Sequence, residues 1–198
     1  EQRQGRDKQI FRNFRAIATL QHRAFQLGRH CAKWFGKGLH NDQRMDGIVM
    51  NREAVYNQLK IDEGVVYEIY NDHLGFRTFG VGHLITEDDE EFGKPVGTPV
   101  DEERVRECFE RDLDIAIGEC YTLYGEGNFR NFPDEVQQIL VNMMFNMGRP
   151  RLSGFKKFNA AVAKHDWSTA AIEGRDSLWY NQVTNRAERL MSRMENIS

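Results

Sequence analysis

The sequence predicts an α+β domain, a small antiparallel sheet at the front of a mostly helical body. Three observations carry this. Residues 65–85 alternate apolar and polar positions and are broken at "NDHLG" and "GVG", which reads as short strands joined by turns. Residues 102–121, "EERVRECFERDLDIAIGECY", repeat Val105, Phe109, Leu113, Ile117 and Cys120 at helical spacing behind a capping Asp101. Residues 133–148, "PDEVQQILVNMMFNMG", are apolar on most sides, opened by Pro133 and Asp134 and closed by Gly148. In such an arrangement the cleft lies between the sheet and the helices.

The remaining elements follow in chain order. Residues 9–36 place Phe11, Phe14, Ile17, Phe25 and Leu27 at helical spacing among Arg and Lys, predicting a basic amphipathic helix. "GKGLHNDQRMDG" is a loop, so residues 1–48 read as an extension and 49–198 as one domain. Residues 51–62 predict a helix capped by Asn51 and ended by Gly64. "TEDDEEFGKPVGTP" is a polar loop, and shorter helices are predicted over 155–164, 167–173 and 184–195.

Charge is unevenly distributed. Residues 1–44 carry ten Lys/Arg against three Asp/Glu, a balance of +7, and residues 45–198 therefore carry −10 of the net −3. No apolar run approaches the ~18 residues of a membrane span. No secretory leader is visible, and the first residue is Glu. Cys31, Cys108 and Cys120 make no disulfide scaffold and read as free thiols. Neither they nor the six histidines show the paired spacing of a zinc site, and no metal or organic cofactor is expected. "GFRTFGVG" lacks the Lys-Ser/Thr and the following helix of a phosphate loop. Met143, Met144 and Met147 belong to the core, and Trp167, Trp179 and Tyr180 are better read as packing than as sugar platforms.

Chemistry is concentrated in "IDEGVVYEIYNDHLGFRTFGVGHLIT", residues 61–86. Glu63 ends a helix, Asp72 sits on a turn, and Thr78 lies on the returning strand, where a hairpin brings it back toward Asp72. Two carboxyl groups across a groove, with a hydroxyl to hold water, suit glycoside hydrolysis. One acid must carry a proton for the leaving oxygen, and the other must be ionised. Composition alone does not single these residues out, since the chain holds 30 acids and Asp favours turns for local reasons.

The same stretch resembles the phage-type lysozyme family of the T-even phages, in which Glu, eight residues, Asp, five residues, Thr is the catalytic spacing. "CFERDLDIAI", "VNMMFNMG", "SGF" and "RDSLWYNQVTNRAER" resemble later family segments in the same order, over residues 51–196. Tail-associated lysozyme domains are at least as similar at "GRDSLWY". The resemblance implies a lysozyme-like fold with an extra N-terminal segment. It implies acid/base cleavage of the β-1,4 bond between N-acetylmuramic acid and N-acetylglucosamine, with activity falling on the alkaline side as Glu63 ionises. Glu63 would be the general acid, while Asp72 and Thr78 would direct the water. The family inverts, which asks for about 6.5–9.5 Å between the acids.

Arg186 would pair with Glu63, and His83 with Asp112 would join hairpin to long helix. Gly82, Leu84, Phe145 and Asn146 would line the groove. Phe158 and Glu173 depart from the family's smaller or uncharged groups, and the loop at 87–100 is shorter than in the type member. A chitinase-like glycosidase and a non-catalytic wall-binding or virion protein are the alternatives. Peptidoglycan is the expected partner, met at the bacterial wall by a phage-encoded protein or, alternatively, a secreted one. The basic segment 9–36 would bind an anionic envelope surface, dock to a virion partner or pack on the domain; nucleic acid is not expected.

Overall fold

The computed structural model describes residues 50–197. The amphipathic helix read over 9–36 and the boundary at 48 lie outside the described residues. Eight helices and three strands follow one another: α1 (Arg52–Glu63), β1 (Val66–Asn71), β2 (Arg77–Gly80), β3 (His83–Leu84), α2 (Glu102–Tyr124), α3 (Glu126–Arg130), α4 (Asp134–Leu152), α5 (Lys156–Val162), α6 (Trp167–Arg175), α7 (Leu178–Gln182) and α8 (Thr184–Glu195). The small sheet ahead of a helical body matches the predicted α+β class. No helix among the described residues is long and apolar enough to cross a membrane.

Local chemistry sets the ends of these elements. The Asn51 side chain accepts from the Ala54 N–H at 3.0 Å to start α1, and Asp101 accepts from Arg104 N–H at 2.7 Å to start α2. Gly64 stops α1 with φ 76°, a conformation a residue with a Cβ resists, so the chain turns out of the helix directly after Glu63. The sequence closes this helix at Gly148; at φ 73° Gly148 does interrupt α4, but a second helical piece runs on to Leu152.

The sheet is antiparallel in the order β1-β2-β3, with Tyr70 opposite Thr78 and Asn71 opposite Arg77. The polar loop after β3 returns along β1, where Ile69 N–H donates to the Thr98 carbonyl and Val100 N–H to that of Tyr67. That pairing covers the outer edge of β1.

Two cores result. The small one gathers Ile69, Phe79, Ile85 and Val100 of the sheet lobe against Val105 and Cys108 of α2. Ile69 and Phe79 are fully buried, each stabilising the lobe by about 1.5–3 kcal/mol. Gly80 permits the close approach, because a Cβ there would meet Val105 Cγ1 at 3.0 Å. The large core joins α1, the C-terminal half of α2 and α4–α8 through Leu59, Leu113, Ile139, Met143, Leu190 and their neighbours. α2 therefore serves both lobes.

Sequence reasoning did not anticipate α3 or α7. Each is only five residues long, shorter than the window in which periodicity shows. Trp167 and Trp179 are buried, as packing residues should be, and Cys108 and Cys120 are buried free thiols on one helix.

Candidate active site

Glu63 closes α1, and its carboxylate points at α8. Arg186 Nη1 donates to Glu63 Oε1 at 2.6 Å, and the two side chains are 4% and 1% exposed. A buried guanidinium needs several acceptors. Arg186 finds them in the Asn142 side-chain oxygen at 2.8 Å and the Asn142 carbonyl at 3.1 Å, with Asp62 Oδ2 3.6 Å away. Asp62 is itself fully buried, accepting from Asn142 Nδ2 at 2.9 Å and from Arg189.

Two consecutive acids at the end of α1 thus meet two arginines at i and i+3 on α8, with an α4 amide between them. Arg193, one turn further along α8, reaches Glu135 and Gln138 of α4.

Sequence reasoning named Glu63 and Arg186 but missed Asp62, Asn142 and Arg189. The sequence does hold two adjacent acids in "DE" and two bases at i and i+3 on one helical face in "RAER", but nothing local says that they meet.

Asp72 occupies the β1–β2 turn. Its Oδ1 accepts from the N–H groups of Leu74 at 2.9 Å and Phe76 at 2.9 Å, closing the loop around the carboxylate. Thr78 follows on β2, 4% exposed, its hydroxyl donating to the Phe76 carbonyl at 3.1 Å. The hairpin holds Asp72 and Thr78 at one end of the sheet, and Glu63 enters from the helix that precedes β1.

Gly82, Leu84 and Phe145 are half-buried, and Phe145 packs on Phe109 at 5.8 Å between ring centres. Asn146 is different. It is fully buried, with its oxygen accepting from the Trp179 indole N–H at 2.8 Å, so it stands behind the wall rather than on the groove face expected for it. Its position on the inner side of α4, facing α7, explains this. Phe158 is buried, while Glu173 is half-buried and lies 3.8 Å from Lys157. Both border a hollow of about 420 Å³ with Phe155, Leu178 and Trp179.

His83 ties the sheet to α2. Its Nδ1 lies 2.9 Å from Asp112 and its Nε2 3.1 Å from Asp89, a second carboxylate that sequence reasoning did not single out. Burial alone would lower the imidazole's pKa, but the carboxylates of Asp112 and Asp89, aided by Cys108, push it up to about 11. Asp89 moves the other way. Burial resists its charge, yet His83, Thr86 and Arg111 hold it well below the usual carboxylate range.

The signs give a pH profile. The His83 contribution is complete below its unfolded pKa of about 6.5 and fades as pH rises toward 11. The Asp89 contribution is complete above about 3.9 and fades in acid. Thermal melting is expected to be highest near pH 5–6 and to decline steadily from pH 7 to 10. A His83→Gln chain that shows the same alkaline decline would refute the assignment.

A small antiparallel sheet lobe and a helical body joined by one long helix have the architecture of a lysozyme-like glycoside hydrolase. The chain is 30% identical over 159 residues to "Probable T4-type lysozyme 2" of Dictyostelium discoideum, covering 72% of this chain and 94% of that protein. It is 31% identical over 153 residues to "Pre-baseplate central spike protein Gp5" of Enterobacteria phage T4, covering 69% of this chain and 27% of that one. It is 28% identical over 159 residues to "Peptidoglycan hydrolase gp36" of Pseudomonas phage phiKMV, covering 77% of this chain and 17% of that one. No family model matches the chain. The chain belongs to the T4-type lysozyme family.

Proposed function

We infer that this protein hydrolyses peptidoglycan, cleaving the β-1,4 bond between N-acetylmuramic acid and N-acetylglucosamine. Glu63 acts as the general acid, Asp72 directs the attacking water or steadies the cationic sugar, and Thr78 places that water. The observation that carries the reading is the Glu63 carboxylate held through one oxygen by the buried Arg186 in a chain of this family.

An ion pair favours the ionised carboxyl and so opposes acid catalysis. Arg186 is not given wholly to Glu63, however, because Asn142 takes two of its donors and Asp62 stands 3.6 Å away. That sharing satisfies the guanidinium and keeps the Glu63 side chain fixed. On protonation, Glu63 keeps its position through the same contact and presents its proton to the glycosidic oxygen. Departure of the sugar leaves an oxocarbenium-like centre that the ionised Asp72 stabilises, and water held by Asp72 and Thr78 completes hydrolysis with inversion.

Action at the bacterial wall follows from the substrate, and a phage setting is shared with two of the three relatives described. Zymography on bacterial walls and on chitin tests the substrate. Clearing of walls but not chitin is expected, and clearing of chitin alone identifies a chitinase-like enzyme instead. Thr78→Glu tests the water site, because a carboxylate placed there either blocks water or captures the sugar. Wall clearance is expected to fall at least about 100-fold, and mass spectrometry is expected to find a glycan adduct or unmodified, inactive protein. Unchanged clearance by Thr78→Glu would remove Thr78 from the site.

A further inference from the structure

Among the described residues, one group of metal-competent side chains lies apart from Glu63, Asp72 and Thr78. His83 opens β3, Asp89 lies in the loop that follows, and Cys108 is on α2. One ligating atom from each lies within 4.8 Å of the others, and all three residues are buried. We propose that His83, Asp89 and Cys108 bind a divalent transition-metal cation of zinc's softness, which clamps the loop after β3 to α2.

Three features support this. Imidazole, thiolate and carboxylate are the ligands zinc takes most often, and a mixed set selects against magnesium and calcium, which take oxygen donors. Asp112 already stands behind the ring at 2.9 Å from Nδ1, leaving Nε2 turned toward Asp89. A carboxylate on the far nitrogen fixes the orientation of a ligating histidine and raises its basicity. The charge balance also closes. Both ring nitrogens face carboxylates, so the metal-free imidazole carries two protons. Binding takes the imidazole neutral at Nε2 and Cys108 as its thiolate, so a divalent cation offsets the charge its ligands then carry.

Two guanidinium groups share this space. Arg104 reaches Asp89 Oδ1 at 3.3 Å and also pairs with Glu91 at 3.0 Å and Glu107 at 2.8 Å, acids that balance its charge without Asp89. Arg111 is the competitor. Its Nη2 lies 2.6 Å from Asp89 Oδ1 and 3.2 Å from Cys108 Sγ, the atoms the cation would take. Its side chain is 44% exposed and can turn outward, so metal and Arg111 exchange at the same donors. Thr86 stays on Asp89 Oδ2 through its N–H at 2.8 Å and hydroxyl at 2.9 Å, so the loop keeps its shape in either state.

Cobalt(II) is the probe, because thiolate ligation gives it a charge-transfer absorption that oxygen and nitrogen ligands do not. The full chain carrying Cys31→Ser, titrated at pH 8, is expected to saturate at one equivalent with this band and to release protons as it binds. Cys108→Ala in the same background loses the band, and Asp112→Asn weakens binding by roughly 10–100-fold. Zinc raises the melting temperature of the Cys31→Ser chain and leaves that of Cys108→Ala unmoved. Absence of the band from the Cys31→Ser chain overturns the site, as does its survival in Cys108→Ala. If Cys108→Ala does not fold, the band, stoichiometry and proton release of the Cys31→Ser chain decide alone.

Discussion

Glu63→Gln is expected to reduce clearance of isolated bacterial walls by about 1,000-fold while leaving the fold intact, since loss of a general acid typically costs 10²–10⁴-fold. Glutamine keeps the shape of glutamate and an oxygen that Arg186 can still reach. The α1–α8 contact therefore persists, and the guanidinium retains Asn142 and the nearby Asp62. Circular dichroism unchanged from the parent, with a melting temperature within a few degrees of it, separates lost chemistry from lost structure. Clearance within tenfold of the parent, in a folded Glu63→Gln chain, would mean that the proton comes from another group.

Arg186→Ala should have the largest effect on stability. It strands Glu63 at the end of α1, with a side chain only 4% exposed, while Asp62 keeps Arg189. Breaking a buried pair by removing one partner costs about 3–5 kcal/mol, because the remaining charge stays out of water. For a domain of this size that corresponds to a fall of about 10 °C in melting temperature. Arg189 remains on Asp62, so the loss concentrates on Glu63 and on the Asn142 oxygens. Wall clearance, assayed well below the new melting point, should fall as well, since the carboxyl is no longer fixed. A melting temperature within 2 °C of the parent would show that the network does not hold α8 in place.

Much of this was legible in the chain, for reasons that differ by residue. Asn51, Asp101 and Gly64 act through local hydrogen bonds and backbone freedom, so their neighbours in sequence suffice to place them. α2 and α4 are long enough for their stripes to show. Glu63, Asp72 and Thr78 were singled out by spacing within a family pattern and stand as the proposed catalytic set, although composition alone favours neither acid over the other 28. Asn146 was misplaced because a match of position carries no information on which side of a tightly packed helix the amide lies. Asp62, Asn142 and Asp89 were missed because their roles depend on partners 80 and 127 residues away for Asp62 and on three elements converging for Asp89. No local rule reports such meetings.

The reach of the Glu63–Arg186 contact has a consequence for how the enzyme is made. The two residues are 123 positions apart, with Arg186 on α8. During synthesis Glu63 leaves the ribosome long before its anchor, and a product clipped ahead of α8 retains the acid without the group that aims it. The acid and the group that aims it thus come together only once residues through α8 have been made, however early Glu63 emerges.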